Sequence, residues 1–159
     1  MLTYVLTGDL SRVIVPEPGP RRRTDGLWRS TCLEAFIAGT HWPAYREFNF
    51  APSGDWAAYD FRAYRAGSTP APIGAPALAR DVSKGALRLR VTLRPEHLPA
   101  GDRLRIGLAA VLEDIDGRLG YRALRHPAGP PDFHHRDGFA IAVSNSDGFV
   151  AFAARGDSA

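Results

Sequence analysis

Residues 86–113, ALRLRVTLRPEHLPAGDRLRIGLAAVLE, contain two runs in which apolar and polar side chains alternate. In an extended chain, such a repeat of two places successive side chains on opposite faces, whereas a helix would need apolar residues three and four positions apart. The alternation therefore predicts two β-strands, at 86–93 and 103–113, that each bury one face. The apolar faces consist of Leu87, Leu89, Val91 and Leu93 in the first run and of Leu104, Ile106, Leu108, Ala110 and Leu112 in the second.

Loops rich in proline and glycine divide the whole chain into short runs. Runs of about 5–10 residues between such loops are typical of an antiparallel sandwich or barrel. We therefore predict an all-β fold, a two-sheet antiparallel β-sandwich of the jelly-roll or immunoglobulin-like kind, as a single domain over residues 1–159. The exception is the alanine-rich run 77–83, ALARDVS, which predicts a helical turn. The predicted loops are 16–26, 39–43, 51–55, 66–77, 94–102, 114–118 and 126–138.

The composition is that of a folded domain and excludes several other classes of protein. Hydrophobic residues make up 45% of the 159 residues and charged residues 23%, and no apolar run is long enough to cross a membrane. Cys32 is the only cysteine, which excludes an internal disulfide and a cysteine-based zinc cluster. The net charge is +3, and RRR at 21–23 is the only basic cluster, so we expect no nucleic-acid partner. With no secretory signal at Met1, we expect a cytoplasmic protein.

Three runs after residue 30 place polar side chains where a ligand could meet them. If CLEAFI (32–37) and YREFNF (45–50) are antiparallel neighbours, Glu34 lies close to Glu47 or Asn49 across the pair. Alternation in WAAYDFRAYR (56–65) groups Trp56 with Arg62 and leaves Tyr59 on the opposite side. The three strands could therefore present one face of carboxylates, an amide, an arginine and aromatic rings.

Four longer stretches contain motifs that are specific in combination. They are YVLTGDLSRVIVPEP (4–18), LWRSTCLEAFIA (27–38), YREFNFAPSGDWAAYDFRAYR (45–65) and HPAGPPDFHHRDGF (126–139). Together they resemble the bacterial DOMON-like domains of the MurB-like subgroup, which are relatives of the family 9 carbohydrate-binding modules, and the resemblance covers most of residues 4–140. It implies a β-sandwich that binds a ligand on a sheet face or at its rim, and the ligands of the wider superfamily are sugars or haem.

These observations predict a domain that binds a small molecule, a carbohydrate or a sugar-containing compound, without catalysing a reaction. Sugar binding needs flat aromatic faces for stacking and polar groups that bond hydroxyls. For each tryptophan the alternative is a place in the core or in a loop, and for the glutamates it is an ion pair with an arginine or a hydrolytic acid–base pair. The predicted ligand-binding residues are Trp28, Glu34, Glu47, Asn49, Trp56 and Arg62.

The loop from His126 to Asp137 is the alternative site, since it could support a metal-dependent enzyme. Adjacent residues of an extended chain point in opposite directions, so His134 and His135 cannot easily bind one metal ion. The competing interpretation is a loop that folds over the sandwich with one histidine buried and hydrogen-bonded. Haem would need two of five histidines to converge, and we expect neither haem nor metal.

The two ends of the chain depart from the family pattern. Met1 starts almost inside a predicted strand, where related domains have another strand, and residues 140–159 do not look like the usual final strand. A missing strand would leave unpaired backbone groups. We therefore predict a structural or interaction role as a further alternative, in which the chain self-associates through an exposed edge strand.

Overall fold

The computed structural model describes residues 1–39, 43–144 and 152–153, the last two by their backbone alone. None of the helices in these ranges is long and apolar enough to cross a membrane. The strands are β1 (Leu2–Thr7), β2 (Cys32–Ala38), β3 (Tyr45–Phe50), β4 (Trp56–Phe61), β5 (Thr69–Pro70), β6 (Ala77–Ser83), β7 (Ala86–Thr92), β8 (Arg103–Glu113), β9 (Leu119–Ala123), β10 (Ile141–Ser144) and β11 (Phe152–Ala153). The short 3-10 turns are Leu10–Arg12, Leu27–Arg29, Pro95–His97 and Arg136–Gly138.

The strands form two sheets that pack together, which confirms the predicted β-sandwich. The smaller sheet has the order β11-β1-β7-β6, and the larger has the order β10-β8-β2-β3-β4-β5, with β9 also paired to β8. The long strand β8 pairs with three strands of the larger sheet. One of its edges pairs with β2, and the other edge pairs with β10 near the start of β8 and with β9 near its end. All pairings are antiparallel except that of β1 with β11.

The first strand does not form the edge of its sheet along its whole length. β1 pairs with β7 over six residues, and Leu2 and Thr3 pair on the other side with Phe152 and Ala153 of β11. Part of the divergent C-terminal segment thus lies beside β1, where the sequence predicted a gap. Residues 141–144 of the same segment form β10 of the larger sheet, and residues 145–151 and 154–159 fall outside the described residues. Self-association through an edge stays a prediction.

Apolar side chains from both sheets fill the space between them. In β7 the pattern follows the predicted alternation, because Leu87, Leu89 and Val91 are buried while Arg88 and Arg90 are exposed. The larger sheet contributes most of the aromatic side chains of this core, and Tyr4 of β1 adds one from the smaller sheet. The buried members from the larger sheet are Leu33, Ala35, Ile37, Phe48, Phe50, Trp56, Ala58, Leu104, Ile106, Leu108 and Ala110.

The helical turn predicted at 77–83 is wrong, since these residues form β6. They pair with β7 along their whole length, from Ala77 opposite Thr92 to Ser83 opposite Ala86. A two-residue connection, Lys84–Gly85, closes this hairpin. The hydrogen bonds to β7 and the burial of Leu78 outweigh the helix propensity of the alanines, which is a weak preference of under ~1 kcal/mol per residue.

The central strands of the larger sheet are buried on both faces, whereas the alternation predicts a sheet with one face exposed to solvent. All seven residues of β2 are buried, and so is the central part of β8. The cover on the outer face comes from residues 124–140, between β9 and β10, which we call the strap. It lies so close to β8 that a Cβ atom at Gly107 would be 2.9 Å from the carbonyl oxygen of Gly138.

Candidate functional site

A second apolar cluster fixes the strap to the outer face of the larger sheet. Its centre is Phe36, whose ring lies 6.4 Å from that of Phe133 and 6.2 Å from that of Phe139, both in the strap. Tyr45 packs in the same cluster. Between the strap, the sheet and the turn Leu27–Arg29 lies a half-open cavity of about 520 Å³, which we call the strap cavity. A volume of this size is ordinary for a small-molecule site.

Two glutamates from neighbouring strands lie on the floor of the strap cavity. The antiparallel register places Glu34 opposite Asn49 and Phe36 opposite Glu47, so the two carboxyl groups are diagonal neighbours. This is the arrangement that the sequence predicted for these three polar residues. Glu34 is 3% exposed and Glu47 is 6% exposed. Asn49, fully buried beneath them, donates a 2.6 Å hydrogen bond from its amide to Oε1 of Glu47.

Burial makes both glutamates weak acids. Desolvation, followed by the charge of Glu47, raises the pKa of Glu34 to about 8. Burial also raises the pKa of Glu47, although the Asn49 hydrogen bond and the positive charge of Arg65 oppose the shift. At neutral pH the pair therefore includes a protonated Glu34, which can donate a hydrogen bond as well as accept one.

His134 is a strap residue that lines the cavity. The sequence alone placed it in a separate site, the loop from His126 to Asp137. The Nδ1 atom of His134 lies 2.7 Å from the Tyr45 hydroxyl, which already accepts the backbone N–H of Arg65. Which of the two groups donates in this hydrogen bond depends on the tautomer of the imidazole. Burial and the charge of Arg65 lower the pKa of His134 to about 4. The imidazole is therefore neutral, and the 3.7 Å contact between its Nε2 and Oε2 of Glu47 is not an ion pair.

A small polar latch holds the strap beside His134. Asp132 accepts a 2.6 Å hydrogen bond from the Tyr64 hydroxyl and a 2.9 Å hydrogen bond from the Arg65 guanidinium. It also accepts the backbone N–H of His134. Partial burial opposes the charged form, but the bonds from Tyr64 and Arg65 lower the pKa of Asp132 below its ordinary value.

We expect Asp132→Ala to loosen the strap without unfolding the sandwich. The variant removes the acceptor for Tyr64, Arg65 and the His134 backbone, and such bonds contribute about 1–2 kcal/mol in total when partly exposed. Limited proteolysis and hydrogen exchange should show faster opening of residues 124–140 only. Asp81→Ala is the matched control because Asp81 pairs with Arg88 on the smaller sheet. Equal protection of the strap in both variants would contradict the latch.

Trp28 stands at the rim of the strap cavity, as predicted, and is 41% exposed. It lies in the turn Leu27–Arg29, which follows Gly26 in the left-handed region at φ 79°, a conformation that glycine adopts without strain. The Trp28 ring packs edge-on against Tyr59, with 5.9 Å between ring centroids. The Tyr59 hydroxyl in turn donates to Asp25 at 2.6 Å. This aromatic pair therefore borders the strap cavity.

Trp56 and Arg62 do not lie with the other predicted site residues. Trp56 pairs with Phe50 across the sheet and is 5% exposed in the core between the sheets, where the Arg23 guanidinium lies 5.1 Å from its ring centroid. Arg62 is exposed on the turn after β4 and lines a neighbouring depression. The face prediction for β4 is therefore wrong. The register sets Tyr59 opposite Glu47, so Tyr59 joins the site, and Arg65 supplies its arginine.

The His126–Asp137 loop folds over the sandwich, which is the second of the two interpretations that the sequence offered for it. His134 is partly buried and hydrogen-bonded to Tyr45, whereas His135 accepts the backbone N–H of Asp137. Within residues 1–39 and 43–144, no three histidine, cysteine, aspartate or glutamate side chains form a group that could hold a metal ion. A bis-histidine haem does not fit these residues either, since His134 is the only histidine among those that line the strap cavity. His41 and Trp42 fall outside the described residues.

Comparison of the chain with protein-family models, curated proteins and solved structures finds no match. The resemblance to DOMON-like domains stays a prediction. The chemistry of the strap cavity is therefore the basis for inferring a function.

Proposed function

We propose that this chain binds a small hydroxylated molecule, of the carbohydrate class, in the strap cavity without transforming it. The observation that carries the proposal is the pairing of a half-exposed tryptophan at the rim with two buried carboxyl groups on the floor. Sugars present apolar C–H faces to aromatic rings and hydroxyl groups to polar side chains. Trp28 and Tyr59 supply the first kind of contact, and Glu34, Glu47 and His134 supply the second.

The protonation states of the floor residues favour a ligand with both donors and acceptors. A protonated Glu34 can donate a hydrogen bond, whereas Glu47 can accept one. A hydroxyl group both donates and accepts, so it can satisfy either kind of partner. A purely apolar ligand would instead leave these buried groups unpaired, at a cost of about 1–3 kcal/mol each.

Trp28→Ala should weaken binding about tenfold, because it removes the stacking surface at the rim. A glycan array identifies the ligand, native mass spectrometry gives its stoichiometry, and calorimetry compares the variant with the unmodified chain. Val82→Ala is the control, since Val82 is an exposed apolar residue on the smaller sheet. Unchanged affinity in Trp28→Ala, or no bound glycan at any concentration tested, would contradict the proposed function.

Acid–base hydrolysis of a glycoside is the second candidate function. The observation that favours it is that two carboxyl groups share one cavity while one of them is held protonated, as a general acid must be. Release of nitrophenol from nitrophenyl glycosides tests it directly. Under this candidate Glu34→Gln and Glu47→Gln each abolish turnover, whereas binding without turnover supports the first proposal.

A further inference from the structure

Glu34 is a buried acid whose carboxyl group has no partner among the residues that the structure describes. Its backbone carbonyl accepts the Tyr4 hydroxyl at 2.8 Å, but its side-chain oxygens take part in no hydrogen bond or ion pair with the described part of the chain. The carboxyl group opens onto the strap cavity. A carboxyl group buried this deeply is costly unless something in the functional state pairs with it.

The other charges around the strap cavity do not supply that partner. Glu47 is bonded to the neutral amide of Asn49, and the neighbouring His134 imidazole is uncharged. The Arg65 guanidinium reaches the cavity, but its charge is matched by Asp132 at 2.9 Å. The floor therefore has room for a positive charge that the described residues do not provide.

The walls of the same cavity are aromatic, which suits a cation. Trp28, Tyr59, Tyr121 and Phe133 all line it. The faces of such rings carry partial negative charge and attract ammonium groups, by about 0.5–2 kcal/mol for each contact. Aromatic walls around a carboxylate floor thus favour a positively charged group over a neutral one.

We propose that the strap cavity selects an aminated ligand, a small hydroxylated molecule whose ammonium group pairs with the Glu34 and Glu47 carboxylates. This inference rests on the proposed function and narrows it, since it names the chemical feature that distinguishes the preferred ligand from a neutral sugar. The apolar face of the ligand stacks on Trp28 at the rim and its hydroxyl groups contact His134, while its ammonium group reaches the floor.

Binding of such a ligand is linked to the ionisation of Glu34. The ammonium group pairs with the carboxylate form, so the ligand must displace the proton that burial keeps on Glu34 at neutral pH. Affinity therefore rises with pH up to the pKa of Glu34, about 8, and levels off above it. The titratable groups that face Glu34 from the surrounding elements are Tyr4, Cys32, Glu47, Tyr59, Tyr121, His134 and Arg65, the last with Asp132 as its partner.

Calorimetry with matched pairs of probes tests the selectivity. N-methyl-D-glucamine and D-sorbitol differ mainly in a protonated amine. D-glucosamine and D-glucose, compared at about pH 7 where the less basic sugar amine is still mostly protonated, form the cyclic pair. We expect N-methyl-D-glucamine to bind about tenfold more tightly than D-sorbitol at about pH 8.5 and to lose about tenfold in affinity at about pH 6.5. Titration in buffers of different ionisation enthalpy should also show proton release with the amine alone.

Glu34→Gln keeps the size of the side chain but cannot carry the charge. It should abolish the preference for the amine and its pH dependence, so that N-methyl-D-glucamine and D-sorbitol bind the variant with equal affinity. Glu17→Gln, at an exposed position outside the cavity, should change neither the preference for the amine nor its pH dependence. Amine selectivity that survives in Glu34→Gln, or equal binding of both members of each pair, would overturn the inference.

The binding results distinguish a failure of the amine selectivity from a failure of the proposed function itself. If D-sorbitol or D-glucose binds in a Trp28-dependent manner and the amines gain nothing, the strap cavity is a neutral-sugar site and only the amine selectivity is lost. If neither the probes nor any glycan binds, both proposals are wrong.

Discussion

Glu34→Gln should raise the free energy of unfolding at alkaline pH by on the order of 3 kcal/mol. The pKa of Glu34 is about 8 in the folded chain, against a reference value of 4.5 for an exposed glutamate. Between these values the unfolded chain loses this proton while the folded chain keeps it. The stability that the protonated Glu34 contributes is therefore fully present below the unfolded-state pKa of 4.5. It decreases as the pH rises above that value and is lost once the pH has passed the folded-state pKa of about 8. Glutamine mimics the protonated acid at every pH and escapes this loss.

Urea unfolding at a series of pH values measures the effect. We expect the variant and the unmodified chain to differ little near pH 4 and to diverge steadily up to about pH 9. His134 changes the pH dependence of stability in the opposite direction, because its pKa is lowered to about 4 in the folded chain. It is present in both proteins, so its contribution largely cancels in the difference between their free energies of unfolding. Glu17→Gln, the exposed control, should follow the unmodified chain. A difference that stays constant with pH would contradict the burial argument.

Phe36→Ala should destabilise the chain by about 3–5 kcal/mol, the range for removing a fully buried phenylalanine. Phe36 is 1% exposed, and its ring contacts those of Tyr45, Phe133, His134 and Phe139. Its removal takes the central ring out of the cluster that joins the strap to the sheet. We therefore expect the strap to detach before the sandwich unfolds, and the strap cavity to be lost with it.

A matched variant separates the two effects. Phe48 is equally buried, but it belongs to the core between the sheets, so Phe48→Ala should destabilise the chain by a similar amount while leaving the strap protected in the native state. Hydrogen exchange of residues 124–140 under native conditions distinguishes the variants. Equal protection of the strap in both would show that Phe36 does not hold it.

The predicted gain in stability from Glu34→Gln bears directly on function. A chain that evolved only to fold would not keep an unpaired carboxyl group at 3% exposure. Groups with strongly shifted pKa values in a cavity are instead typical of sites that bind or react. The same feature therefore accounts for the pH-dependent loss of stability and for the preference that we propose for an ammonium group.

Much of the sandwich follows from alternation along single strands. The runs at 86–93 and 103–113 become β7 and β8, and the short loop after β2 makes β3 its antiparallel neighbour, which brings Glu34 beside Asn49 and close to Glu47. These features depend on contacts between residues close in the sequence. The turn at 114–118 joins β8 to β9 for the same reason.

The sequence by itself thus determined the class of fold, the strands β2, β3, β7 and β8, and the meeting of Glu34, Glu47 and Asn49. Only the tertiary structure decided which face of β4 joins them, because Trp56 and Tyr59 are both aromatic and alternation does not say which side meets the core. It also decided that the strap covers the outer face and brings His134 to Glu47. That contact joins residues far apart in the chain, and no local pattern encodes the packing that creates it.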